Sequence, residues 1–134
     1  MKGQCLCRRV TVEIPGRPSH VTFCNCDFCR KLGAAWVYFP PGSITVTGET
    51  RAYSREDIAD VWLAGHHCPT CGTAIHYTIL PPHEVTKEAV NSRLFAQADL
   101  EGIEARYYDA RHVETDDDEF IRTGSGHVGD GTAF

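Results

Sequence analysis

The sequence has no long hydrophobic run and no excess of positive charge. No segment approaches the ~18 consecutive apolar residues that a membrane-spanning helix needs, so no membrane partner is expected. The formal net charge is −5, which gives no support to nucleic-acid binding through a basic surface. The first residues, Met1 to Cys5, lack the apolar core of a signal peptide. We therefore expect a cytoplasmic protein.

Sustained helical periodicity and internal repeats are also absent. Short alternating apolar runs are instead separated by glycine and proline at roughly ten-residue spacing, which is typical of an all-β domain of packed antiparallel sheets. A hairpin is expected to join residues 44–46 and 51–53, and a helical turn is expected at 84–88. The other predicted strands are 8–14, 20–23, 34–39, 59–64, 74–80 and 89–96.

The composition changes after residue 113. An acidic run, Asp116-Asp117-Asp118-Glu119, is followed by four glycines between residues 124 and 131. Like charges and glycine both disfavour a packed structure. The sequence thus predicts a folded domain over residues 1–113 and a solvated, partly disordered tail over residues 114–134.

Three of the seven cysteines fall within six residues, at Cys24, Cys26 and Cys29. A CxC step on an extended backbone directs both side chains to one face, and the following turn can return a third sulfur to the same point. Three thiolates around zinc leave one tetrahedral position for water or substrate, as catalytic zinc sites do. Two alternatives remain: a closed site completed by His20, His66, His67 or His76, and a set of reactive thiols without metal.

The other four cysteines form two pairs, one before the first predicted strand and one in the middle of the chain. An odd number of cysteines and such close spacings argue against a disulfide framework. Two pairs together complete a tetrahedral set of four thiolates, and Gly72 suits the turn after the second pair. The predicted ligands of this structural zinc are Cys5, Cys7, Cys68 and Cys71.

Three thiolates make zinc a weaker Lewis acid than three imidazoles would, but they suit it to a further sulfur ligand. The expected fourth ligand is therefore a substrate thiol, which zinc would hold as a nucleophilic thiolate at neutral pH. Arg30 and Lys31 directly follow the third cysteine. They are candidates for binding the carboxylates of an anionic thiol, with ordinary solvated surface cations as the alternative.

The three cysteine motifs, in this order and spacing, resemble those of the glutathione-dependent formaldehyde-activating enzymes, also called the centromere-protein-V-like family. The matching segments are Gly3-Gln4-Cys5-Leu6-Cys7, Cys24-Asn25-Cys26-Asp27-Phe28-Cys29-Arg30-Lys31 with Gly33, and Cys68-Pro69-Thr70-Cys71-Gly72-Thr73. Asn25 stands where the family commonly has histidine. The resemblance implies a fold like the Mss4 β-tent, a structural zinc held by the two pairs, and a second zinc held by the triple at the active site.

The resemblance also implies a function. The expected protein is a zinc-dependent carbon–sulfur lyase that joins or cleaves a thiol and a small aldehyde, with two zinc ions per chain and glutathione as cosubstrate. Water, Asn25, Tyr38 or a histidine could serve as the proton donor. The alternatives are a non-enzymatic β-tent module that binds a protein partner, and an enzyme acting on another thiol or electrophile.

Overall fold

The computed structural model describes residues 1–112 and 119–131. The strands of these residues form two sheets. The smaller one has the order β1 (Lys2–Gln4), β2 (Thr11–Glu13) and β5 (Thr45–Thr47), all antiparallel. The side chains of Val10, Val12 and Ile14 are buried on one side of this segment, as their alternation predicts.

The larger sheet positions the functional site. From edge to edge its strands are β11 (Ile121–His127), β10 (Glu104–Asp109), β3 (His20–Cys24), β4 (Trp36–Phe39), β9 (Glu88–Asn91), β8 (Ala74–Ile79), β7 (Leu63–His67) and β6 (Arg51–Ser54). Neighbouring strands are antiparallel except for β3 and β10, which are parallel. The expected all-β fold of packed sheets is therefore confirmed.

Side chains alternate between two hydrophobic clusters, one on each face of the larger sheet. On β4, Val37 enters the main core, which includes Val10, Val12, Val90 and Leu100, whereas Trp36 and Tyr38 join a second cluster. That second cluster is built around Phe28, Cys29, Trp36 and Leu63. One strand thus contributes to structural packing on one face and to the candidate site on the other.

The helical segments of the described residues are short: α1 (Asp27–Leu32), a 3-10 turn (Ser92–Leu94) and α2 (Gln97–Leu100). In that part of the chain no helix has the length and hydrophobicity to cross a bilayer. The sequence did not predict α1, because six residues are too few to show helical periodicity. The helix is fixed by its ends instead: the Cys26 side chain accepts from the Cys29 N–H, and Gly33 closes the helix in the left-handed conformation.

The predicted hairpin between residues 44–46 and 51–53 is wrong. Both segments are strands, but β5 pairs with β2 in the small sheet and β6 pairs with β7 in the large one. The intervening Gly48, with φ of 107°, turns the chain between sheets, and a Cβ there would lie 2.2 Å from the carbonyl oxygen of Arg9. Close backbone approach therefore redirects the chain where a local turn was expected.

Three other boundaries also differ from the prediction. The strand expected at 59–64 begins only at Leu63. The helical turn expected at 84–88 is not formed, because residues 84–87 have no regular secondary structure and Glu88 begins β9. The strand expected to reach residue 96 ends at Asn91, because the Asn91 side chain accepts from Arg93 N–H and caps the 3-10 turn. At Asn91 a local polar contact thus outweighed the alternation of apolar residues.

The described part of the predicted tail contains a strand. β11 pairs with β10 along its whole length, and Val128 is fully buried in the main core. The glycine content of residues 121–131 favours a tail, and the sequence does not predict this strand. The acidic residues 116–118 lie outside the described residues, while Glu119 is within them and exposed.

Candidate metal centres and active-site cavity

Strand β3 and helix α1 bring Cys24, Cys26 and Cys29 together. Cys24 ends the strand, Cys26 caps the helix, and Cys29 lies in its first turn. Their sulfur atoms lie within 4.8 Å of one another. The backbone N–H groups of Cys26 and Cys29 point at the sulfurs of Cys24 and Cys26, at 3.4 and 3.5 Å. Short local connections therefore hold the cluster together.

The three sulfurs influence each other's protonation. Hydrogen bonding from Cys24 and Cys29 lowers the pKa of Cys26 to about 3. The contact with Cys26 raises the pKa of Cys24 to about 11. Contacts with Cys24 and Cys26, together with burial, strongly raise the pKa of Cys29. The protein alone thus favours one thiolate shared among three sulfurs, and a bound cation is what would favour three thiolates.

A cavity of about 570 Å³ opens beside this cluster, a volume in the usual range for small-molecule sites. All three cysteines line it. The apolar part of its wall consists of Phe28, Trp36, Trp62, Leu63, Ile79 and Phe120. The fully buried Trp36 donates its Nε1–H to the Cys29 sulfur at 3.2 Å.

Two cations line the same cavity. Arg55 is only 5% exposed, bonds both oxygens of Asp57, and places its guanidinium 5.4 Å from the centroid of the Phe28 ring. Burial opposes its charge, but Asp57 and then Cys26 and Cys29 raise the pKa of Arg55. The second cation, Lys87, lies 4.6 Å from the centroid of the Tyr38 ring.

Two tyrosines, Tyr38 and Tyr77, also line the cavity. Register places each of them opposite Ala89, on the strands that flank β9. Burial and then the charges of Tyr77 and Cys29 raise the pKa of Tyr38 well above its ordinary value. Burial also raises the pKa of Tyr77. Both hydroxyls therefore keep their protons at neutral pH.

The four other cysteines form a separate cluster. The Cys7 sulfur is 3.6 Å from those of Cys5 and Cys68, close to the ~3.8 Å separation that tetrahedral geometry and a ~2.3 Å zinc–sulfur bond require. Thr73 hydrogen-bonds the Cys71 sulfur at 3.2 Å, which lowers the pKa of Cys71 to about 5. Their number, spacing and thiolate chemistry fit a structural zinc.

The two clusters differ in burial and in ligand number. Cys5 and Cys68 belong to the main core, with Cys7 and Cys71 packed against it. At the three-cysteine cluster, no histidine nitrogen or carboxylate oxygen among residues 1–112 and 119–131 joins the sulfurs at the same spacing. Of the four histidines considered as a further ligand, His20 lines the cavity. His66 and His76 stack on each other with centroids 4.2 Å apart.

The structure places Arg30 and Lys31 on the exposed face of α1. Both bind Asp27, at 2.8 and 2.9 Å, and neither lines the cavity. Asn25, another residue considered from sequence, is engaged outside the cavity, donating to Asp109 at 3.0 Å and accepting from the Ala110 N–H at 2.9 Å.

Sequence reasoning missed several cavity residues, namely Arg55, Trp36, Tyr77 and Lys87. Their separation along the chain carries no motif. Trp36 and Tyr77 lie on β4 and β8, whereas Arg55 and Lys87 lie in the loops next to β6 and β9. The one available signal was alternation on 36–39, which places Trp36 and Tyr38 on the same face.

Comparison with known proteins gives a family match and a structural match. A family model described as glutathione-dependent formaldehyde-activating enzyme matches residues 1–108. A crystal structure of a Rhodobacter sphaeroides protein superposes with a TM-score of 0.58 and 24% sequence identity, covering 71% of this chain and 87% of that one. This second likeness concerns the fold. A search of curated proteins finds no match.

Proposed function

Because the chain belongs to the family of glutathione-dependent formaldehyde-activating enzymes, we propose that it is a zinc-dependent carbon–sulfur lyase. It would join a thiol to a small aldehyde, or reverse that reaction, with glutathione and formaldehyde as substrates. One observation carries the proposal: the three-cysteine cluster lines a cavity, whereas the four-cysteine cluster is packed into the core.

Each cluster would hold one zinc ion. Cys24, Cys26 and Cys29 are the proposed ligands at the active site, and the other four cysteines are the proposed ligands of the structural ion. When bound at the active site, zinc supplies a Lewis acid that keeps a substrate thiol deprotonated at neutral pH. Arg55, beside Cys26 and Cys29, compensates the negative charge of the sulfur cluster.

The reaction moves one proton. The thiol sulfur bonds to the aldehyde carbon, the carbon–oxygen double bond becomes single, and the proton lost by the thiol ends on that oxygen. We assign the donation to the Tyr38 hydroxyl, which lines the cavity and is protonated at neutral pH because burial raises its pKa. The proton released from the thiol restores Tyr38, so the cycle balances.

The aromatic wall has a separate role. Phe28 and Trp36 stack with centroids 6.1 Å apart, and the edge of Tyr77 packs on Trp36 at 5.0 Å. This packing keeps much of the cavity surface apolar and limits water beside the sulfurs. Exclusion of water strengthens electrostatic interactions inside the cavity and favours the thiol over water as the partner of the aldehyde.

Native mass spectrometry of the purified protein, with and without glutathione, tests the proposal. We expect two zinc ions per chain and a glutathione adduct, and we expect Cys24→Ser to lose the adduct. Exchange between labelled formaldehyde and its glutathione adduct, followed by NMR, should be faster with wild-type protein than in protein-free buffer or with the variant.

Two outcomes would contradict the proposal. One zinc ion per chain and no adduct would indicate a structural zinc site alone. A protein-binding β-tent module would then be the better hypothesis. An adduct without accelerated exchange with formaldehyde would retain the thiol site but assign another electrophile to it. Because each outcome concerns a different step, the two failures are distinguishable.

A further inference from the structure

Lys87 is the cavity cation that forms no ion pair with a carboxylate in the part of the chain that the structure describes. Among the described residues no carboxylate oxygen lies within ion-pair distance of its amino group, which instead lies over the face of Tyr38. A cation–π contact of this kind holds an ammonium group in place without cancelling its charge. Lys87 therefore presents a positioned positive charge to the cavity that it lines.

The other ionisable groups of the cavity wall do not compete for this role. Arg55 is engaged with Asp57 and the sulfur cluster. Burial lowers the pKa of His20, so its imidazole is neutral at physiological pH. Glu84 adds an acidic side chain to the wall, but among the described residues it forms no ion pair with Lys87. Lys87 is therefore the cavity cation without an ion-pair partner in that part of the chain.

We propose that Lys87, held over Tyr38, binds a carboxylate of the thiol substrate and makes the site select anionic thiols over neutral ones. The proposal rests on the proposed thiol chemistry of the three-cysteine cluster. A thiol with its sulfur at that cluster and a carboxylate on Lys87 would span the cavity, with the aromatic wall along its length. Charge at a fixed point gives specificity to a pocket whose wall is mainly apolar and aromatic.

Geometry favours Lys87 over Arg30 and Lys31 for this function. Those two side chains are exposed and share Asp27 as a partner. A substrate carboxylate would have to compete with Asp27 for them in solvent, where ion pairs contribute little. Lys87 is exposed as well, but it lines the cavity and has no carboxylate partner among the described residues. Lys31 is consequently a matched control of the same residue type.

The experiment compares two thiols that differ in charge, glutathione and glutathione diethyl ester, in which both carboxylates are esterified. Dissociation constants are measured by calorimetry with the zinc-loaded wild type, Lys87→Met, Lys87→Arg and Lys31→Met. We expect Lys87→Met to weaken glutathione binding about tenfold, as for loss of one charge-assisted hydrogen bond, and to leave ester binding unchanged. Lys87→Arg should restore most of the affinity, and Lys31→Met should match the wild type.

Equal weakening of both thiols would assign Lys87 a structural role and overturn the proposal. Unchanged glutathione binding in Lys87→Met would also overturn the proposal. Weaker glutathione binding in Lys31→Met would indicate that the carboxylate binds at α1 instead. If the wild type binds neither thiol, the proposed thiol chemistry of the three-cysteine cluster is wrong as well. That result is distinct from a wild type that binds both thiols equally, which contradicts the subsite alone.

Discussion

At the scale of single residues, the indole N–H groups of Trp36 and Trp62 differ in their hydrogen bonding. Both line the cavity. The Trp36 N–H donates to the Cys29 sulfur, whereas the buried Trp62 N–H has no acceptor among the described residues. A donor pointing at a thiolate stabilises its negative charge and fixes its orientation toward a metal ion. Trp36 is therefore a positioning residue for the cluster.

Replacing each tryptophan by phenylalanine separates this hydrogen bond from ring size. Trp36→Phe should lower the zinc affinity of the three-cysteine cluster by about tenfold or more, the usual cost of losing a group that hydrogen-bonds a metal ligand. Trp62→Phe deletes the same atoms without breaking a hydrogen bond and should leave that affinity unchanged. Competition with a chromophoric chelator measures both. Equal losses in the two variants would show that only ring volume matters.

The grouping of the cysteines into two clusters was predictable, because metal-ligand spacing within each motif is local and appears in the sequence itself. The cavity residues Arg55 and Lys87 were not predictable for the opposite reason. They reach the cavity from separate loops, and neither lies at a diagnostic distance from a cysteine. The positive charge that follows Cys29 in sequence, on Arg30 and Lys31, turns instead toward Asp27 on the helix surface.

At the scale of elements, the position of α1 depends on its contact with β7. Phe28, the helix residue between Cys26 and Cys29, packs over the backbone of Gly65. A Cβ at Gly65 would lie 2.7 Å from Cζ of Phe28 and 2.8 Å from its Cε2. Residue 65 of the strand must therefore lack a Cβ, because only then can α1 and the three-cysteine cluster approach the sheet this closely.

Gly65→Ala should displace Phe28 and disturb the three-cysteine cluster. We expect a loss of about 1–3 kcal/mol in the free energy of unfolding, the range for overpacked cores, and lower zinc occupancy at that cluster. Gly16→Ala is the control, since a Cβ there meets nothing within 4 Å. Denaturant unfolding and zinc analysis give both quantities. A stable Gly65→Ala protein with full zinc content would mean that the helix does not need this close approach.

Elements also show where sequence reasoning reached its limit. The strands at 20–24, 36–39 and 74–79 were predictable because their apolar residues alternate or run together. The pairing of β5 and β6 with different sheets was not, because it depends on the close packing of Gly48 against Arg9 and not on the turn residues themselves. Non-local packing likewise recruits β11, whose own residues are almost all exposed.

At the scale of the whole molecule, the four-cysteine cluster connects parts of the chain that share no strand pairing. Cys5 and Cys7 follow β1 of the small sheet, and Cys68 and Cys71 lie between β7 and β8 of the large sheet. The Leu6 N–H also reaches Thr73 at 3.3 Å. A metal ion held by both pairs would close a loop of about sixty residues, and metal binding at such a site contributes directly to folding.

Cys68→Ser should therefore destabilise the entire protein, because Cys68 is fully buried and supplies one of the four sulfurs. We expect loss of one zinc ion and a Tm lower by about 10 °C or more, which corresponds to roughly 3 kcal/mol for a chain of this size. Cys24→Ser removes a sulfur from the cluster beside the cavity and should lower the Tm much less, although it also loses one zinc ion. Calorimetry with parallel zinc analysis compares the two variants. If their Tm values fall equally, both clusters stabilise the fold, and the division into a structural and a reactive centre would be wrong.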